Sequence, residues 1–437
     1  MRENIFKLET YSIKALSPVH IGTGIKLGNW DFLEENGKIY VISLDKLIEK
    51  LTPSQQEKIV EYMENRKSLK EFLRNENIKI NISNISLYKM HLIDNSSRVK
   101  NIWEEIKHPE GLYIPASTLK GAIRTAVLYC LLKENENNYK FLIKEFETKQ
   151  GKKYKDIVLI ANGKEKKGVE NIEKFLEKEF FGENQSNDIF KFFKVSDSDV
   201  KNSFDNLECR KIYVANTTRA KQPEYYEIIC DGTEFKNIRI SIINEEEIEK
   251  FVNPKYHKTL EKIKNWKKCL YEFSEDLIKT ELKFWNNDKV SKEIKHVYEN
   301  YKNKKGFHTL KYISDSFKKE HVLNHLKNIQ KENSPEEPVI RIGKLTGYFS
   351  HSIGLFLARD NEKPYDIHEF GKIFNSRAKD WLFPLTRRLT LDNQTLGWCK
   401  LEVQEEKPKN STQTNSKETQ KPTIENLASM WGAKIRG

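Results

Sequence analysis

The sequence predicts an α+β protein of ferredoxin-like or RNA-recognition-like type: small antiparallel sheets backed by helices, with a helical insertion. Three observations predict it. Runs with strand-like alternation, such as residues 5–16 and Lys211 to Ile243, flank long stretches with helical spacing. An order of strand, glycine loop, hairpin, helix and strand occurs near the start and, less clearly, again after residue 205. A length of 437 residues, 37% hydrophobic and 32% charged, gives room for two or three solvated domains with their own cores.

Each element has a local reason. The first strand ends at Ser17-Pro18, and a loop with Gly22, Gly24 and Gly28 follows. In DFLEENGKIYVI, Glu35-Asn36-Gly37 reads as a hairpin turn, because Asn-Gly tolerates positive φ at both central positions. Residues 44–75 read as helical, with Thr52-Pro53 opening one helix by a cap followed by proline. YIPASTLKGAIRTAVLYCLL, from Tyr113, reads as a strand, a turn and an amphipathic helix capped by Ser117 or Thr118. Between about 133 and 185 the chain is rich in Lys and Glu and reads as mostly helical, with a polar loop near Gly151 and Gly163. FFKVSDSDV, from Phe192, reads as a strand. KIYVANTTRA, EYYEIICDGTEF and NIRISII then read as a meander of three antiparallel strands. From about 245 to 333 the pattern is helical, and Leu260, Ile263, Trp266, Leu270, Phe273 and Leu277 mark one apolar face. VIRIGKLTGYFSHSIGLFLA returns to strand and loop, and RLTLDNQTLGWCKLEV reads as a closing hairpin. The division expected is an N-terminal domain with helical insertions over 1–204, a second over 205–403 with the helical insertion at about 245–333, and a linker and tail over 404–437. Leu427, Met430 and Trp431 make that tail either a tethered docking peptide or a frayed end.

Composition narrows the function classes. No apolar run approaches the ~20 residues that span a bilayer, and the start lacks an apolar signal core, so a cytoplasmic protein without a membrane partner is expected. Five cysteines scattered singly, with no CxxC, point to reduced core thiols and to no bound metal. The net charge of +12 fits a polyanionic partner, although 62 lysines in a chain rich in Asn and Ile also fit a plain compositional bias. The 14 arginines are more telling: Arg341, Arg359, Arg377, Arg387 and Arg388 fall within 48 residues. Arginine suits bidentate contacts to phosphates and bases.

Three constellations stand out. At the start of the helix after Ile114, positions 117, 120, 121 and 124 lie on one side. Ser117, Lys120, Gly121 and Arg124 would give that side a hydroxyl, two cations and a bare glycine beside free backbone N–H groups, the parts of an anion site. Acids normally occupy such a first turn, so the cations call for a reason. A surface helix with incidental charges is the plain alternative. No GxxxxGK[ST] and no GxGxxG after a strand are present, so an RNA phosphate fits better than a nucleotide, and no cofactor is expected. In VHIGTGIKLG, His20 is structural or a hydrogen-bond donor more often than a general base, and Gly22 and Gly24 beside Lys26 either permit a turn or admit a polyanion. In RIGKLTGYFSHSIG, Gly343 and Gly347 alternate with Lys344 and Tyr348, and with Arg341, Arg387 and Arg388 they have the composition of a single-strand RNA surface. HExxH and GxSxG are missing; Asp197 and Asp199 share a face, and Asp31 near the glycine loop is the one acid worth testing for hydrolysis.

SPVHIGTG, YIPASTLKGAIRTA, FFG with FKVSDSD, IRIGKLTGY and FPLTRRLTLDNQTLGWCKLE occur in this order between about residues 11 and 402. The series resembles the RAMP superfamily of CRISPR effector proteins, and looks most like the fifth-subunit family of the type III-A Csm complex. IPxSxLKGxxR marks only the superfamily; GYFS and TRRL with LGW narrow it, and the lysine-rich insertions match nothing specific. The resemblance implies RAMP domains and a place capping the backbone filament at the 3′ side of the crRNA. It implies a part in crRNA maturation through a separate host nuclease, and adjacent backbone RAMP subunits as partners. In related backbone subunits an acid after the HIG loop cleaves target RNA; here that region reads IKLGNWDF, a departure that leaves Asp31 without an assigned match to that acid. The expectation is therefore a non-catalytic RNA binder of an antiviral ribonucleoprotein, with Lys120, Gly121 and Arg124 facing either RNA or the adjoining subunit. The rivals are an endoribonuclease using His20 or Asp31, and a protein-only scaffold.

Overall fold

The first strand, β1 (Phe6–Ala15), runs through the centre of a sheet whose other members come from far along the chain. The computed structural model describes residues 6–94, 98–161, 163–216, 220–243, 252–302, 313, 315–358, 384 and 386–404. Arg359, Arg377, Phe383 and the linker and tail from 405 onward, on which several expectations rest, lie outside the described residues.

After β1 come β2 (Lys26–Leu27) and the hairpin of β3 (Phe32–Glu35) and β4 (Lys38–Ile42), turned by Asn36 and Gly37 at φ 50 and 71, as the sequence predicts. Four helices follow: α1 (Leu44–Ile48), α2 (Pro53–Glu64), α3 (Leu69–Asn75) and α4 (Ile82–Ile85). Thr52 and Gln55 close a reciprocal capping box on α2. These helices pack Leu47, Leu51, Ile59, Leu69 and Phe72 into a satellite core under Leu33 and Ile42. Next come β5 (Ser86–Leu92), β6 (Ile102–Trp103) and the long α5 (Ala116–Glu134).

Residues 140–167 differ from expectation: in place of helices they form β7 (Lys140–Glu147), β8 (Lys153–Ala161) and β9 (Lys164–Lys167), a separate three-stranded ribbon. Lysine and glutamate favour helices, but Phe141, Ile143, Ile157 and Leu159 alternate along one ribbon face, and packing that face outweighs propensity. Gly151 and Gly163, at φ 77 and 71, mark the two turns. The chain continues through α6 (Val169–Phe181), β10 (Phe193–Val195), β11 (Leu207–Asn216), β12 (Glu224–Ile229) and β13 (Glu234–Ile243). Then come α7 (His257–Lys264), α8 (Trp266–Asn286), α9 (Asp288–Lys302) and α10 (Lys319–Glu332), the expected helical insertion. Its predicted apolar face, from Leu260 to Leu277, is buried throughout. The last elements are β14 (Val339–Arg341), α11 (Gly354–Leu357), β15 (Thr386–Thr390) and β16 (Trp398–Val403).

One sheet has the order β10-β13-β1-β16-β14, and the other β2-β6-β12-β11-β5-β4-β3, with β15 also on β11. Two expectations are corrected here. The meander is cut at Gly232, because β13 leaves β12 and pairs with β1, setting Ile238 opposite Tyr11 and burying both. The closing hairpin is cut as well: β15 pairs with β11 in one sheet and β16 with β1 in the other. Each sheet thus draws strands from both sides of residue 204, so a boundary there does not separate sheets. Buried Cys130, Cys209, Cys269 and Cys399 are core thiols. No helix among the described residues is long and apolar enough to cross a membrane.

Candidate nucleic-acid interface

The glycine loop after β1 is built on buried acids. His20 is 2% exposed, and its Nδ1 lies 2.8 Å from the carbonyl oxygen of Glu227 and 3.0 Å from Glu105 Oε2. A carbonyl only accepts, so Nδ1 carries the proton. Gly22, at φ 77, roofs the other ring nitrogen. The Glu105 carboxylate, fully buried, accepts the N–H of Ile21 at 2.8 Å. Glu227, also fully buried, accepts from the Tyr88 hydroxyl at 2.6 Å, from Lys107 Nζ at 2.7 Å and from the Glu105 N–H at 2.8 Å. Burial raises its carboxyl above the usual range, with Lys107 opposing. His20 is therefore a structural post that sets the loop, the more frequent role for a lone histidine beside glycines, and its burial leaves no open ring for a general base or for the RNA contact also expected of it.

A second glycine loop docks on the first. Lys344 N–H donates to the His20 carbonyl at 2.8 Å, and Gly397 N–H donates to the Pro18 carbonyl at 2.9 Å. His351 Nε2 lies 3.0 Å from the Gly343 carbonyl and 2.6 Å from Thr346 Oγ1, closing the loop on itself. Three motifs, the first more than 300 residues before the other two, thus form one surface, which exposes Thr23, Gly24, Ile25, Lys26 and Lys344. Between the lysines lies Trp103: Lys26 Nζ is 4.8 Å and Lys344 Nζ 4.7 Å from the centre of its ring system. Behind it Tyr226 stacks at 6.3 Å and 18°. Lys26 also pairs with Glu224 at 3.0 Å. Trp103, Glu105 and Glu227 were not legible as site residues. The signal available was Glu227 itself, an acid set between Tyr226 and Ile228 in the strand EYYEII.

The start of α5 answers differently from the local sequence. Its N-cap is Pro115, with no side-chain cap, so neither Ser117 nor Thr118 has the predicted role. Asp197 supplies the missing acid from 81 residues away, accepting the Ala116 N–H at 2.6 Å. Arg124, expected to face a ligand, instead holds Asp188 with Nη1 at 2.9 and 3.1 Å and lies 4.0 Å over the ring of Phe181. Lys120 is half-buried 5.7 Å from Phe190, and burial lowers its ammonium pKa. Ser117 and Gly121 remain exposed, and a Cβ on Gly121 would meet nothing within 4 Å. Gly121→Ala should accordingly raise folding stability by about 1 kcal/mol in urea titrations. If this face touches RNA or a neighbouring subunit, the same variant should lose affinity while gaining stability.

The remaining residues disperse. Arg341 and Arg387, each 5% exposed, pair with buried Glu281 instead of RNA, Arg387 Nε at 2.9 Å and Arg341 Nη1 at 3.9 Å. That interior triad explains part of the arginine cluster. Tyr348 is half-buried with its ring against Gly354 and Phe349, so it does not offer an open stacking platform. Gly347 holds a turn at φ 89, and Arg388 is half-buried on β15. Asp31 is exposed and accepts the Gly28 N–H at 2.6 Å, which fixes its own turn. Among the described residues no three His, Cys, Asp or Glu side chains group as metal ligands.

A sequence model of the RAMP superfamily matches residues 12–349. Over 191 residues, 42% of the chain, the sequence is 26% identical to a protein of Methanocaldococcus jannaschii named CRISPR system Cms protein Csm5, and the match spans about 41% of that relative's length. A chain of a cryo-EM structure of a Csm–crRNA–target RNA ternary complex from a type III-A CRISPR–Cas system superposes with a TM-score of 0.61 at 21% identity, covering 91% of this chain and 100% of that one. The crystal structure of T. onnurineus Csm5 superposes with a TM-score of 0.57 at 19% identity, covering 89% of this chain and 99% of that one. At such identities the two structures establish a common fold.

Proposed function

The chain belongs to the RAMP superfamily, and on that premise we propose that it is a non-catalytic RNA-binding subunit of a type III-A CRISPR ribonucleoprotein. It caps the backbone filament at the 3′ side of the crRNA, contacts adjacent backbone RAMP subunits, and supports crRNA maturation carried out by a separate nuclease in the cytoplasm. The observation that carries this reading is the superposition on the whole of a chain from a Csm–crRNA–target RNA complex. The surface made by the HIG loop, the Lys344 loop and β6 supports it, because two lysines beside the Trp103 ring suit backbone phosphates and an unpaired base. The non-catalytic part is supported by His20 and Asp31, which are engaged in holding their own loops.

The test is a titration of the purified chain with labelled single-stranded RNA at several salt concentrations, followed by a denaturing gel. Binding should weaken steeply with salt and leave the RNA intact. The variant Lys26→Ala, Lys120→Ala, Lys344→Ala should bind all sequences more weakly, its salt slope shallower by ~0.7 for each phosphate that is no longer neutralised. An unchanged slope would remove these lysines from the interface. Cleaved RNA would overturn the non-catalytic reading and make Asp31→Ala and His20→Ala the next variants. Assembly into a complex with no RNA crosslink to this chain would favour a protein-only scaffold.

A further inference from the structure

The ribbon β7–β8–β9 carries none of the RAMP-like motifs. Residues 140–167 contain nine lysines and four acids, so 28 residues carry +5 of the chain's net +12. Their lysine share is more than twice that of the whole chain, while their share of acids matches the average. A compositional bias would raise lysine everywhere; this surplus is local.

The ribbon is anchored in the core through its apolar residues, while both of its ends stay exposed. Phe141, Ile157 and Leu159 enter the main core. Lys144 and Lys153 pair with Glu165 at 2.6 Å and Glu145 at 3.2 Å. Lys140, Lys149, Lys152 and Lys164 are exposed, with no acidic partner among the described residues. Lys149 and Lys152 flank the turn at Gly151, and Lys140 and Lys164 stand at the opposite end. At ~3.3 Å per residue the eight residues of β7 separate these ends by roughly 25 Å, the span of several nucleotides. On the face away from Phe141, Phe146 and Tyr154 are in register with ring centres 5.8 Å apart at 31°. Lys167 lies 3.8 Å from the first ring and 4.5 Å from the second, and Tyr154 is 37% exposed.

We propose that this ribbon is a second RNA-docking arm, taking single-stranded RNA along its lysines with an unpaired base against Tyr154. The proposal rests on the RNA-binding reading above and extends it to a surface that reading does not use. Exposed cations without an acidic partner lose little on meeting phosphates, and a partly exposed ring offers a sequence-independent stacking face.

The experiment compares three full-length proteins by salt-dependent titration with labelled single-stranded RNA. One is unaltered. One carries Lys140→Gln, Lys149→Gln, Lys152→Gln and Lys164→Gln. The third carries Lys50→Gln, Lys70→Gln, Lys258→Gln and Lys327→Gln, which removes the same charge from exposed positions elsewhere. The arm variant should show a salt slope shallower by about 3, at ~0.7 for each phosphate released, with the control close to the unaltered chain. Ultraviolet crosslinking should place RNA on Tyr154 in the unaltered chain and lose that adduct in the arm variant. Equal thermal unfolding of the three proteins would exclude misfolding. An arm variant parallel to the unaltered chain overturns the arm and leaves the RNA-binding reading intact, and equal losses in both variants reduce the effect to net charge and overturn it too. An unaltered chain that binds no RNA overturns both readings.

Discussion

Glu281→Leu is expected to destabilise the fold by about 3–5 kcal/mol, the cost of stripping the counter-charge from a buried ion set. Glu281 sits on α8, 3% exposed, between two guanidinium groups that are themselves 5% exposed. Its carboxylate lies 2.9 and 3.0 Å from Arg387 Nε and 3.9 Å from Arg341. Burial already pulls the Arg341 pKa down to about 10 even with Glu281 beside it. The other support is modest: Arg341 Nε donates to the Leu396 carbonyl at 3.0 Å, and the two cations lie over Trp398 and Phe284 at 4.6 and 4.0 Å. Removing this acid would leave two buried cations facing each other, with only the Leu396 and Pro384 carbonyls and the two rings to offset desolvation. The check is a urea titration, read as a lower midpoint at an unchanged slope. The combination Glu281→Leu, Arg341→Met, Arg387→Met should recover most of the loss, since apolar groups of similar volume replace buried ion sets at little cost. A single variant as stable as the unaltered protein would show that water or another group solvates the arginines. Arg341 and Arg387 belong to β14 and β15, in different sheets, so the triad ties both sheets to α8.

That triad also shows where sequence reasoning stops. Arginines clustered in sequence look like a polyanion surface, and nothing local reveals that an acid 60 to 106 residues earlier buries two of them. Local signals fared well where the physics is local. The Asn36-Gly37 turn, the helix start at Thr52-Pro53 and the apolar face from Leu260 to Leu277 depend on neighbours within a few residues, and all three are present. The fold class and the RAMP motifs were legible for the same reason. Strand partners were not: β13 and β16 follow sequence neighbours into turns and then pair with β1, more than 200 residues away. The cap of α5 failed likewise, since Asp197 does from outside the work that Ser117 was expected to do from within. The ribbon over 140–167 was misread because its lysines and glutamates spoke for helix, while the alternation of Phe141 and Ile143 was only four residues deep.

Gly343→Ala is expected to cost about 3–5 kcal/mol as well, through the backbone rather than through charge. Gly343 has φ 96, a region that an L side chain enters only with strain, and a Cβ there would overlap the carbonyl carbon and oxygen of His20. Neither partner has room to yield. The His20 carbonyl accepts the Lys344 N–H at 2.8 Å, and the His20 ring is pinned between Glu105 and the Glu227 carbonyl. Relief therefore requires the two loops to part, which orphans the Lys344 N–H and moves Lys344 away from Trp103. A specific signature follows. Gly343→Ala should lower the urea midpoint and also weaken RNA binding beyond what Lys344→Ala alone does, because the docking of both loops is lost and not one cation. Gly347→Ala serves as the control: its φ of 89 carries similar backbone strain, but a Cβ there meets nothing within 4 Å. That variant should lose about 1–3 kcal/mol from strain alone and keep the loops together. Equal losses in both variants would mean that the contact with His20 adds nothing, and the joined loops would lose their claim to be the platform on which Lys26 and Lys344 are held.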